Sequence, residues 1–262
     1  MITSLSNAKV KYVRRLQTDR RFRNRENQYV VEGTRWLTEL VTMARPAEMI
    51  FVTERWLEAA VHAQILQQLT HLGQSIPLLV SEEVMQAISD TTTSAGVLAV
   101  LPMKPRPLPA TPSLLLILDE INTPGNLGTM LRTAGAAGAD GVLLGPGCVD
   151  LYNPKVVRGS MGAHLRLPVH SQTWPEIAER VRGMQVWLAT VEAEMAYTAV
   201  NWQQPSALII GSEAAGAGTE ARRIASGSIT IPMHAATESL NAAMAAGIIL
   251  FEAARQRNKN LN

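Results

Sequence analysis

Three short stretches of this 262-residue chain combine glycines, which let backbone approach a ligand, with polar side chains able to hold one. The first is Asn122-Thr123-Pro124-Gly125-Asn126-Leu127-Gly128, with Arg132 about a turn and a half further on. The second runs Gly211-Ser212-Glu213-Ala214-Ala215-Gly216-Ala217-Gly218, and the third joins Ile231-Pro232-Met233 to Glu238-Ser239-Leu240-Asn241. Gly125 and Gly128 permit tight turns, and Asn126 is suited to cap a helix. Ser239 or Asn241 near a helix start offers cap hydrogen bonds or polar ligand contacts. Each stretch by itself also has a plain structural explanation: a glycine turn beside a surface arginine, or, for Glu213, a carboxylate meeting a helix dipole. None has the spacing of a dinucleotide or phosphate loop, and Gly145-Pro146-Gly147 lacks the third glycine. His62, His71, His164, His170 and His234 show no metal-ligand spacing, and Ser160 lies outside a nucleophile elbow, so no metal site and no covalent mechanism is expected.

These stretches need a scaffold that brings them together, and the hydrophobic periodicity predicts one. Residues 114–119, 141–145, 165–169, 185–190, 207–211 and 229–233 read as strands, alternating with helices over 127–137, 153–162, 174–183, 219–225 and 239–257. Strongly apolar strands alternating with helices imply a mostly parallel sheet with helices on both faces, whose ligands gather beyond the carboxyl ends of the strands. Upstream, helices over 6–17, 34–44, 54–72 and 81–89 and strands over 28–32, 48–53, 77–80 and 96–101 predict a smaller α/β domain. Five prolines between positions 102 and 112 mark a stiff connector, which divides the chain into domains 1–101 and 114–262 joined by a linker over 102–113.

The formal net charge of +2 is unevenly distributed. Residues 1–25 set Lys9, Lys11, Arg14, Arg15, Arg20, Arg21, Arg23 and Arg25 against Asp19 alone, which is +7 and leaves −5 for the remainder. A phosphate backbone is the partner such a segment attracts, although a solvated basic helix would have the same composition. With 47% apolar residues the chain can bury a full core; it has no membrane-spanning run and no signal-peptide pattern at its start, and a cytoplasmic protein is expected. The single cysteine, Cys148, reads as a packed thiol in a reducing compartment.

The three stretches gain meaning from occurring together, in this order. The chain resembles the SpoU-like (SPOUT) family of RNA ribose 2′-O-methyltransferases through Asn126-Leu127-Gly128 to Arg132-Thr133-Ala134, Leu208-Ile209-Ile210-Gly211-Ser212-Glu213 with Gly216, and Ile231-Pro232-Met233 with Ser239-Leu240-Asn241. Tyr29-Val30-Val31-Glu32-Gly33 and residues 90–99 are similar to the substrate-binding domain that often precedes it. The resemblance implies a deep trefoil knot, a homodimer, S-adenosylmethionine as cofactor and RNA as substrate, with a tilt towards ribosomal RNA. It places Gly211, Ile231, Met233 and Leu240 at the cofactor and Asn126, Arg132, Glu213, Ser239 and Asn241 at the reacting groups. Lys9, Lys11, Arg14, Arg15 and Arg21, with Lys155 and Arg158, are expected to meet RNA phosphates. Thr123 stands where many members have aspartate, and Ala243 where a hydroxyl is common. Alternatives on the same scaffold are a transfer-RNA ribose or RNA base methyltransferase, or a non-catalytic RNA-binding protein.

Overall fold

The computed structural model describes residues 1–73, 76–213, 215–234 and 239–257. Two compact units emerge: Met1–Lys104 with Tyr152–Arg158, and Pro105–Leu151 with Gly159–Asn262. The proline run thus coincides with one crossing between units, but Tyr152–Arg158 belongs with the first unit rather than with the contiguous 114–262 block that the sequence suggests.

The first unit is built from α1 (Ala8–Thr18), α2 (Arg20–Glu26), β1 (Gln28–Glu32), α3 (Thr34–Thr42), β2 (Met49–Val52), α4 (Glu54–Leu57), α5 (Ala60–His71), β3 (Leu78–Leu79), α6 (Glu82–Ile88) and β4 (Val97–Pro102). Its four strands are ordered β1-β4-β2-β3, with β4 antiparallel to both neighbours and β2 parallel to β3. Val10, Val13 and Leu16 of α1 pack with Val84, Met85 and Ile88 of α6 and Phe51, Leu98 and Val100 of the sheet. Two expectations are corrected here. Asp19 caps a separate helix α2 by accepting from Phe22 N at 3.0 Å, where the periodicity predicts no element. The single helix expected over 54–72 breaks into α4 and α5, because the Trp56 carbonyl is taken by His62 Nδ1 at 2.5 Å as the two rings stack 4.1 Å apart.

The second unit contains β5 (Leu114–Leu118), α7 (Pro124–Ala136), β6 (Gly141–Leu144), the end of α8 (Pro154–Ser160), α9 (Ala163–Arg166), β7 (Val169–Ser171), α10 (Trp174–Arg180), β8 (Gln185–Ala189), β9 (Ser206–Ile210), α11 (Thr219–Ile224), β10 (Gly227–Ile229) and α12 (Ala242–Arg257). Six strands ordered β10-β8-β9-β5-β6-β7 pair in parallel throughout. The central strands β5 and β9 are buried at every residue, as a sheet covered on both faces requires. The order doubles back between β6 and β8, so the loops after β5, β8 and β9 open beside one another, where a parallel sheet offers a ligand site.

Two element boundaries differ from the periodic reading for identifiable reasons. The segment 165–169 is not a strand at its start: α9 occupies Ala163–Arg166, and β7 begins only at Val169, after Pro168. Buried His164 holds this turn, with Ser160 Oγ 2.6 Å from its Nδ1 and the Leu151 carbonyl 2.8 Å from its Nε2. Because the carbonyl can only accept, Nε2 carries the proton and Ser160 donates to Nδ1. Burial depresses the His164 pKa to about 4. Strand β10 ends at Ile229 rather than 233, which frees Thr230, Ile231 and Met233 to line the site.

Candidate active site

The α7 helix begins earlier than the glycine pattern suggests. Pro124 occupies its first turn, where a missing N–H costs nothing, and Asn126 is a helical residue rather than its cap. Gly128 is likewise inside the helix and buried; its role is packing, since a Cβ on Gly159 would stand 3.3 Å from Gly128 Cα. Thr123 stands at the N-cap position without a side-chain cap bond, and the Asn126 side chain, in the first turn of the helix, is available to reach across to another loop.

It reaches Glu213. Asn126 Nδ2 donates to Glu213 Oε1 at 2.7 Å, Asn241 Nδ2 donates to the same oxygen at 2.5 Å, and Ala242 N adds a third bond at 3.2 Å. Asn241 Oδ1 accepts from Ala243 N and Met244 N at 3.0 and 3.2 Å, capping α12, which leaves its amide hydrogens for Glu213. Asn241 Nδ2 also lies 3.2 Å from Asn126 Oδ1. One carboxylate therefore ties together residues from all three stretches and sits at the amino end of a 16-residue helix, where negative charge is favoured. Glu213 Oε2 takes no hydrogen bond from any described residue.

The loop carrying Glu213 is tightly built. Ser212 and Gly216 exchange backbone hydrogen bonds of 2.9 Å in both directions, with Gly216 at φ +67°. Gly211 is required by this loop itself: a Cβ there would overlap the backbone of Gly216 and Ala217. Asp119, 2% exposed at the end of β5, accepts from Gly218 N at 2.7 Å and anchors the far end of the loop, its pKa raised by burial.

Beside this cluster lies a cavity of about 330 Å³. Gly211, Ile231, Met233 and Leu240 line it, together with Glu213 and Ser239. Its walls are largely aliphatic, from Ile210, Ile229 and Ile249, and it lies within the size range of small-molecule sites. The sequence reading missed Thr190, Glu192 and Arg222 on its other side. The rule that ligands gather after strand ends points to 190–192, which follow β8, but no glycine or cap residue draws attention there. Ala214 and Glu238 lie outside the described residues.

Arg132 is not part of this cluster. It is exposed on α7, six residues from Asn126 and hence about 120° around the helix, and it has no hydrogen-bond or ion-pair partner among the described residues. In the first unit, Lys9, Lys11, Arg14, Arg15 and Arg21 are exposed. Lys11, Arg14 and Arg15 share the face of α1 opposite Val10, Val13 and Leu16. Arg15 is partly engaged, lying 4.3 Å over Phe22 and 3.4 Å from Asp19. Arg23 is buried, with Nη1 donating to the Leu16 and Gln17 carbonyls at 2.7 and 3.1 Å, so this cation completes the end of α1. Lys155 is exposed, whereas Arg158 pairs with Asp90 at 2.6 Å.

Residues 113–251, slightly more than half of the chain, match the SpoU rRNA Methylase family. The chain belongs to that family. Residues 7–99 of this SpoU methylase match the MRM3-like substrate binding domain. Over 98% of its length it is 34% identical to an uncharacterized tRNA/rRNA methyltransferase of Synechocystis, covering 94% of that protein. It is 30% identical to the 23S rRNA (guanosine(2553)-2′-O)-methyltransferase RlmP of Bacillus subtilis, covering 95% of this chain and 97% of the relative. The AdoMet-bound rRNA methyltransferase of Sinorhizobium meliloti superposes with a TM-score of 0.84 at 27% identity, covering 97% of each chain.

Proposed function

We propose that this SpoU methylase transfers a methyl group from S-adenosylmethionine to a ribose 2′-hydroxyl of ribosomal RNA. The observation that carries the reading is the convergence of donors from Asn126, Asn241 and Ala242 on one oxygen of Glu213 at the edge of a cavity with aliphatic walls and a polar rim. That cavity suits a nucleoside: Ile210, Ile229 and Ile231 offer apolar surface for a base, and Gly211, Met233 and Leu240 close around it. When bound, the cofactor supplies an electrophilic methyl group, and the protein contributes alignment and management of one proton.

Glu213 holds Asn126 and the start of α12 in register, so that the loop after β9 and α7 present one rigid polar edge. Its second oxygen is the acceptor available to a ligand. Arg132 is assigned to bind the phosphate beside the target ribose and to orient the 2′-hydroxyl; a guanidinium retains its proton too firmly to serve readily as the base. Ser239 lies at the cavity wall, placed to donate or accept at the rim.

The divergence of Arg132 from Asn126 on α7 supports a homodimer in which each copy supplies Arg132 to the other's cluster. Met244 and Phe251, seven residues apart on one face of α12, are 60% and 53% exposed, an apolar stripe that a second copy would cover. By family membership we assign the second unit a deep trefoil knot and the first unit the RNA-binding role, through the α1 cations, Arg21 and Lys155, with Arg158 contributing only on release from Asp90. No helix among the described residues is long and apolar enough to cross a membrane, in keeping with a proposed cytoplasmic site of action. The test is transfer of labelled methyl from S-adenosylmethionine to ribosomal RNA, with mapping of 2′-O-methyl positions in cells with and without the protein. A single position lost with the protein is expected; methylation on a base would favour the rival reading.

A further inference from the structure

Three ionisable side chains line the described cavity: Glu192, Glu213 and Arg222. The Asn126, Asn241 and Ala242 donors already occupy one oxygen of Glu213. Glu192 is different. It follows β8, and the sheet order β10-β8-β9-β5 puts it on the opposite side of β9 from Asn126, which follows β5. Its carboxylate is exposed, and among the described residues it is paired with Arg222, 3.8 Å away, too far for a hydrogen bond. Arg222 is itself fixed, with Nε donating to the Ala217 carbonyl at 3.0 Å on the same wall.

Building on the cofactor assignment above, we propose that Glu192 binds the vicinal ribose hydroxyls of the adenosyl group, with Arg222 steadying the carboxylate. A carboxylate presents two acceptor oxygens and no donor, which matches a pair of neighbouring hydroxyls. Bonds to an ionised acceptor are stronger than neutral ones. The alternative ligand is the α-ammonium of the methionine arm. That cation calls for an uncompensated negative charge, and Arg222 offsets the charge of Glu192 at this range, whereas neutral hydroxyls need only the acceptor atoms. The arrangement also separates tasks along the sheet: hydroxyl recognition after β8, methyl alignment after β9 and β5.

The experiment is equilibrium titration of full-length protein with S-adenosylhomocysteine and with 5′-methylthioadenosine, which share the ribose but differ in the amino-acid arm. Glu192→Ala is expected to weaken both ligands by a similar factor, about ten- to a hundredfold, with Glu192→Gln intermediate. The 2′-deoxy form of 5′-methylthioadenosine should lose much less on the same substitution. A loss confined to S-adenosylhomocysteine would overturn the proposal in favour of the amino-acid arm, and unchanged affinity for both would leave Glu192 outside the site. Wild-type protein that binds neither ligand would remove the cofactor assignment itself, a failure visible before any variant is made. The Glu192 side chain is exposed, so thermal unfolding of both variants should match wild type.

Discussion

At the scale of single residues, the proposed site divides labour between a carboxylate with three donors on one oxygen and an arginine with no partner among the described residues. Arg132→Lys keeps the charge but loses the planar fork, and is expected to lower turnover by about a hundredfold or more with little loss of RNA affinity. Single-turnover methylation beside RNA binding checks this; near-normal turnover would remove Arg132 from the mechanism. Asn241 has two separable duties, capping α12 and donating to Glu213. Asn241→Ser retains a cap acceptor but no amide to donate to Glu213, so unfolding should change little and cofactor affinity should fall. Asn241→Ala loses both and should also cost about 0.5–2 kcal/mol of stability. Equal thermal unfolding of the two variants would show that the cap contributes nothing.

At the scale of elements, the turn between α8 and α9 depends on a neutral histidine. The His164 pKa lies near 4 in the fold against an ordinary value of 6.5, so protons bind the unfolded chain first. Its stabilising contribution is complete above about pH 6.5 and is lost as the pH falls towards 4, up to about 3 kcal/mol over that window. Denaturant titrations from pH 7 to 4 should show this decline, and His164→Gln should flatten it; an identical slope in the variant would place the acid sensitivity elsewhere. The basic α1–α2 segment also divides by position. Replacing Lys11, Arg14 and Arg15 with alanine should weaken RNA binding and reduce its salt dependence, the log–log slope falling by about 0.7–0.9 for each phosphate no longer neutralised. Arg23→Ala should instead lower the unfolding temperature, because two α1 carbonyls lose their donor. A salt slope unchanged by the triple substitution would place RNA binding away from α1.

At the scale of the whole molecule, the proposed sharing of the site between two copies has a direct consequence. Arg132→Ala and Glu213→Ala should each be inactive alone, yet a mixture allowed to exchange subunits should regain methyl transfer, since one site of each mixed dimer unites an intact cluster with an intact Arg132. Continued inactivity of a mixture shown to exchange would confine the whole site to one chain. The exposed stripe of Met244 and Phe251 makes a related point: α12 is apolar on more than its core-facing side, as expected of a helix covered from both directions.

Much of this is legible in the residues alone. The alternation of apolar strands and helices determines a parallel sheet, because only a sheet buried on both faces tolerates such runs as Leu114–Leu118, and the ordered trio of loops identifies the family. The basic segment and the proline connector are likewise written in composition. Tertiary structure decided what local pattern cannot express. Asn126 suits a cap, yet it serves as a cross-loop donor because Pro124 has already begun the helix; Gly128 reads as a turn, yet it is a packing surface for Gly159. Arg23 has the same composition signal as Arg21 and the opposite fate, since burial depends on which carbonyls a folded neighbour leaves unpaired. Glu192 and Arg222 carry no motif at all. They meet because the parallel pairing of β8 with β9 sets the loop after β8 beside α11, and that adjacency is a property of the fold rather than of any segment within it.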